Sequence, residues 1–108
     1  MNKIIQEIIE FRDKRGWDNS DNPENLAKSI IIEAAELLEN YQWGPENADM
    51  INVKEEIADV LIYSIALAYD LGFDVSEIIR EKLIKNAIKY NTYKRNIGLR
   101  SLFKRRRI

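Results

Sequence analysis

At 108 residues, with 45% hydrophobic and 32% charged side chains, the chain has room for one domain built around a single core. It contains no cysteine and no histidine, which excludes disulfides, thiolate or imidazole metal sites and a histidine general base; any metal has to be held by oxygen, which favours magnesium, manganese or calcium. The formal net charge of -1 conceals an uneven distribution: residues 94–108 carry seven Lys or Arg and no acid, leaving 10 basic and 18 acidic side chains in residues 1–93.

MNKIIQEIIEF interrupts its apolar residues with charge, so the chain opens on an amphipathic helix rather than a signal peptide, and no apolar run approaches the roughly 18 residues of a membrane span. A cytoplasmic protein is expected. The first helix is predicted over about residues 2–15, with Ile4, Ile5, Ile8, Ile9 and Phe11 on one side and Gly16 as its stop. The second takes Asn22 as N-cap and Pro23 at its first position and continues to about Tyr41, before Gly44-Pro45. A third begins near Asn52, where Asn52 and Glu55 have the spacing of a capping box, and stops at Gly72. The fourth starts with Asp74 and Glu77 in the same relation and runs to about Asn96. Short loops between four helices predict an all-α antiparallel four-helix bundle. The expected organisation is one domain over residues 1–97 and a basic tail over residues 98–108.

Four carboxylates stand out by their surroundings. Glu33 and Glu36 in SIIIEAAELLE, and Glu56 and Asp59 in EEIADVLIY, sit in apolar helical stretches with few other polar residues. An acid is rarely buried unless it is paired or bound to a cation. At about 100° per residue, Glu33 and Glu36 share one side of the second helix with Ser29 and Asn40, while Glu56 and Asp59 share one side of the third with Tyr63 and Asp70. Two such pairs facing each other repel strongly, and a divalent cation between them resolves the conflict. On the fourth helix Lys82, Asn86, Lys89 and Tyr93 form one stripe, suited to phosphates and equally to a salt-bridged surface. Trp17 and Trp43 fall in Gly- or Pro-flanked connections, where they either cover core or stack on a ligand. From residue 57 to 68 the third helix is apolar around most of its circumference, so cover from further copies of the chain, a homo-oligomer, is expected.

The string FRDKRGWDNSDNPENLAKSIIIEAAELLENYQW, followed by EEIADVLIYSIALAYDLG and EKLIKNAIKY, resembles the MazG-like all-α nucleoside triphosphate pyrophosphohydrolases over about residues 8–91. Their signature, Glu-x-x-Glu, a spacer, then Glu-x-x-Asp, is met by Glu33, Glu36, Glu56 and Asp59 with 19 residues between the pairs. The resemblance implies magnesium-dependent hydrolysis of nucleoside triphosphates to monophosphate and pyrophosphate, with manganese able to substitute. It implies the four acids as metal ligands, Lys82, Asn86 and Lys89 at the phosphates, and Trp17, Trp43 and Tyr63 around base and sugar. It also implies dimers or tetramers with sites near subunit interfaces, and a role in removing aberrant or surplus nucleotides. Without histidine, the proton acceptor is a carboxylate or a hydroxide on the metal; Glu36, which projects furthest from the apolar arc, is the expected base.

The chain departs from the pattern in places. Relatives specialised for cytidine deoxynucleotides commonly show an aromatic and a histidine shortly after the first Trp, where this chain has Ser20 and Asp21, so a wider pocket taking several deoxynucleoside triphosphates is expected. Asn91 replaces the Pro that often follows Lys-Tyr. Phosphoribosyl-ATP pyrophosphohydrolases use a similar bundle, but the surroundings of Trp17 and Trp43 favour the general nucleotide enzymes. The competing reading is a catalytically silent helical bundle that binds a partner or nucleic acid through residues 104–107. A short terminal basic cluster without interleaved aromatics is a weak nucleic-acid signal, and a binding module has no need of four intact acids.

Overall fold

The computed structural model describes residues 2–16 and 21–90. They form four α-helices, α1 (Asn2–Lys14), α2 (Pro23–Glu39), α3 (Met50–Asp70) and α4 (Val75–Lys89), with a 3₁₀ turn at Pro45–Asn47. No strand occurs among the described residues, and the fold is all-α as the helical periodicity predicts. The chain divides into two compact units, residues 1–75 with α1 to α3, and residues 76–108, whose described part is α4. Trp17, Ser20, the end expected for the fourth helix and the basic tail lie outside the described residues. No described helix is long and apolar enough to cross a membrane.

Local chemistry sets the helix ends. The Asn22 side chain accepts the Asn25 N–H at 2.8 Å, and Pro23 follows with its ring already at helical φ, so α2 starts where the sequence predicts. It ends at Glu39, two residues before the expected Tyr41, in a short series of turns. The start of α3 requires a correction: Asp49, not Asn52, is the cap, accepting from the N–H groups of Ile51 and Asn52 at 3.0 and 3.3 Å. Asn52 lies within the first turn and is used across helices. At the other end Phe73 N–H reaches Ala68 C=O and Gly72 N–H reaches Tyr69 C=O, a Schellman closure that needs the φ of +80° at Gly72.

Helix α3 packs against both α2 and α1. Leu26, 1% exposed, is the deepest side chain; it clusters with Ile8 and Ala66, and Tyr63, Ile65 and Leu67 close around them. Among the described residues of this unit Arg12 is the buried charged one, 6% exposed. Its Nη1 and Nη2 donate to the two carboxylate oxygens of Asp70 at 3.1 and 2.8 Å, and its Nε donates to Asp21 Oδ2 at 3.3 Å. A planar guanidinium can satisfy two carboxylates in this way, and it ties the end of α1 to the end of α3. Many large aliphatics remain outside the core. Ile31, Leu38 and Ile51 are each at least 70% exposed.

Candidate metal centre

Glu33 and Glu36 stand one turn apart on α2, and Glu56 and Asp59 one turn apart on α3. Packing of α2 on α3 brings oxygens of Glu33, Glu56 and Asp59 within 4.8 Å of one another, all three residues half-buried. Burial and the neighbouring Glu56, Glu36 and Asp59 push the Glu33 carboxyl up from 4.5 to about 7. Glu56 is pushed up as well, chiefly by burial; a hydrogen bond with Glu33 opposes the rise, while Glu36 and Asp59 add to it. Glu56 Oε1 is fully buried and has no hydrogen-bond partner among the described residues. A buried acceptor left unpaired is costly. A divalent cation fits this donor set: hard oxygen ligands from two facing helices, excess negative charge, and one lone pair awaiting a partner.

Glu36 does not join the close cluster. It lines an open polar cleft of about 320 Å³ with Glu39, Asn40, Asn52 and Glu56. There Asn40 Nδ2 donates to Asn52 Oδ1 at 2.8 Å, and also contacts the Glu36 carbonyl at 3.3 Å. This amide bridge pins the C-terminal end of α2, one turn after Glu36, to the first turn of α3, one turn before Glu56.

Asp59 opens onto a different space, a largely apolar cavity of about 330 Å³ whose walls include Ile8, Phe11, Ile62, Tyr63, Arg12 and Asp21. Tyr63 lies one turn after Asp59. Burial raises the pKa of its hydroxyl, and the charges of Glu33, Asp59 and Asp21 add to the rise, so the phenol stands in the field of both the triad and the far wall.

Of the residues singled out from the sequence, the fold thus brings together Glu33, Glu56, Asp59 and Tyr63, with Glu36 beside them. Trp43 is 77% exposed in the α2–α3 connection, and its carbonyl accepts from Asn47 Nδ2 at 2.8 Å. Lys82 and Lys89 are exposed and Asn86 is half-buried on α4, in the other unit; the Lys89 ammonium stands 5.4 Å from the Tyr90 ring centre. Arg12 carries no local signal: in FRDKR it looks like surface charge, and its partners lie nine and 58 residues away.

Residues 28–97 match the MazG-like family. The chain belongs to that family. The MazG-like match takes in all four acids, Tyr63 and the α4 stripe, and leaves out Arg12 and Asp21. Among curated proteins the chain is 30% identical over 90 residues to dCTP pyrophosphatase 1 of Bos taurus and 32% identical over 90 residues to that of Homo sapiens. Each match covers 75% of this chain and 53% of the relative. The chain therefore spans about half the length of the curated relatives it matches. The crystal structure of a pyrophosphatase from Archaeoglobus fulgidus superposes with a TM-score of 0.78 at 42% identity, over 83% of this chain and 91% of that one.

Proposed function

We propose that this protein is a magnesium-dependent nucleotide pyrophosphohydrolase, with manganese able to substitute, that converts (deoxy)nucleoside triphosphates to monophosphates and pyrophosphate as nucleotide-pool house-cleaning in the cytoplasm. The observation that carries the reading is the Glu33, Glu56 and Asp59 cluster with its unpartnered Glu56 oxygen, set beside an apolar cavity. MazG-like membership and the printed names of the relatives support the substrate class.

Cleaving a phosphoanhydride needs neutralised phosphate charge and a positioned water more than covalent chemistry from protein. Glu33, Glu56 and Asp59 would hold a magnesium ion, which would supply Lewis acidity toward the phosphate oxygens and toward a water. Glu36 completes the four-acid signature; outside the close cluster and on the open cleft, it takes the proton of the attacking water as the α–β anhydride breaks and pyrophosphate leaves. Tyr63 packs against the sugar, and Trp17 and Trp43 stack on the base. Lys82, Asn86 and Lys89 bind phosphate oxygens and offset the charge of the leaving group. The exposed aliphatics of α2 and α3 support a homodimer or homotetramer as the working form. Assaying the eight standard triphosphates with magnesium tests the reading. Monophosphate and pyrophosphate should appear in equal amounts and stop on chelation; orthophosphate as the product, or no turnover with either metal, would sink it.

A further inference from the structure

The cavity beside the triad has an uneven wall. Its floor is hydrocarbon and aromatic, from Ile8, Ile62, Ala66 and Tyr63, while among the described lining residues Arg12 is the cation and Glu7, Asp21 and Asp59 are the acids. Arg12 is already committed, since Nη1 and Nη2 go to Asp70 and Nε to Asp21. Among the described lining residues three acids stand against that one guanidinium, which leaves the wall with surplus negative charge.

Asp21 is less committed. Among the described residues it meets Arg12 through Oδ2 alone, and its side chain is 22% exposed where that of Arg12 is 7% exposed. A carboxylate offers about four acceptor sites, so Asp21 keeps acceptors for whatever enters the cavity. A flat ring resting on the apolar floor meets Asp21 at its edge. An amino group there donates to the carboxylate; a carbonyl oxygen there faces like charge and is rejected. The same complementarity pairs Asp or Glu with the N4 amino group of cytosine.

Given the nucleotide pyrophosphohydrolase reading, on which this rests, we propose that Asp21, held in place by Arg12, is a specificity-determining residue that selects bases with an amino group at the ring edge, cytosine over uracil. By resemblance alone, Ser20 and Asp21 in place of an aromatic and a histidine loosen the tie to cytosine. Asp21 on the cavity wall restores a preference by a different group.

The test uses the full chain with magnesium and the uncleavable α,β-imido analogues of dCTP and dUTP, titrated by calorimetry, alongside pyrophosphate release from the natural pair. Wild type should bind the cytosine analogue about ten- to a hundredfold more tightly, the range for a hydrogen bond to a charged group. In Asp21→Asn, whose amide can also donate to a carbonyl, that ratio should collapse to about twofold or less, while Tm changes little because Asp70 still grips Arg12. A 2-pyrimidinone analogue, which lacks the amino group and puts nothing in its place, should fall between the two on the unaltered protein and so needs no variant to fold. Equal affinities for the cytosine and uracil analogues, failure of both to bind, or an Asp21→Asn loss that leaves their ratio intact would each overturn the proposal. Turnover without base preference removes the selector and keeps the activity; cytosine-selective binding without pyrophosphate release does the reverse.

Discussion

Replacing Glu33 by Gln in the metal-free protein tests the electrostatics of the carboxylate cluster directly. In the fold the Glu33 carboxyl is carried from 4.5 to about 7 by burial and by Glu56, Glu36 and Asp59. Below the lower value the group is protonated in folded and unfolded chains alike and leaves the balance untouched. Between the two values the unfolded chain gives up its proton while the folded one keeps it, so stability falls as pH rises; above about 7 both forms are ionised and the penalty is constant. The full difference corresponds to about 3 kcal/mol. Solvent screening at a half-buried carboxylate reduces it to about 2 kcal/mol, or about 10 °C in Tm for a domain of this size. Glu33→Gln has nothing to titrate at this position. Melts of both proteins in chelator across this pH range should therefore show the wild type losing about 10 °C relative to the variant and then levelling off. Magnesium should close that gap for the wild type, because the ion competes with the proton for the same oxygens. Parallel curves for the two proteins would refute the cluster's mutual repulsion.

Arg12→Met strips a buried guanidinium from Asp21 and Asp70, and should lower stability by about 3 kcal/mol, the partial exposure of both acids holding it at the low end for a broken buried pair. Denaturant melts read this, and adding Asp70→Asn should recover part of the loss; additive effects would mean the pair is idle. Asp59→Asn should abolish pyrophosphate release yet leave the metal-free protein folded with equal or higher Tm, whereas loss of folding would mark the residue as structural. Glu36→Gln should lower kcat about a hundredfold or more while still binding metal by calorimetry, and near-normal turnover would remove it as the base. Sedimentation at micromolar concentration should give a dimer or tetramer, and a clean monomer would leave the exposed aliphatics of α2 and α3 without an account.

Features governed by neighbours in the chain were readable in the sequence. The cap and proline of α2, the glycine that ends α3 and the shared side of each acid pair follow from residues within one or two turns. The start of α3 is not readable locally, because Asp49 and Asn52 are both good caps and what distinguishes them in the fold is the reach of Asn52 to Asn40 on another segment. The acids show the same limit. Glu33 and Glu36 have the same spacing as Glu56 and Asp59, yet only Glu33 enters the close cluster; the packing of α2 on α3 selects it, and no local pattern records that. Arg12 was hidden for the converse reason, since its meaning lies wholly in partners far along the chain.

All four acids and the Asn40–Asn52 bridge belong to two helices that follow one another directly, whereas the Arg12–Asp70 pair spans 58 residues. Closing a short connection costs less chain entropy than closing a long one, and nearby contacts form sooner. On that ordering the α2–α3 hairpin is expected to bring its negative charges together before the Arg12–Asp70 contact closes. The ionic composition in which the chain folds is then expected to act on the rate at which that hairpin closes as well as on the completed site.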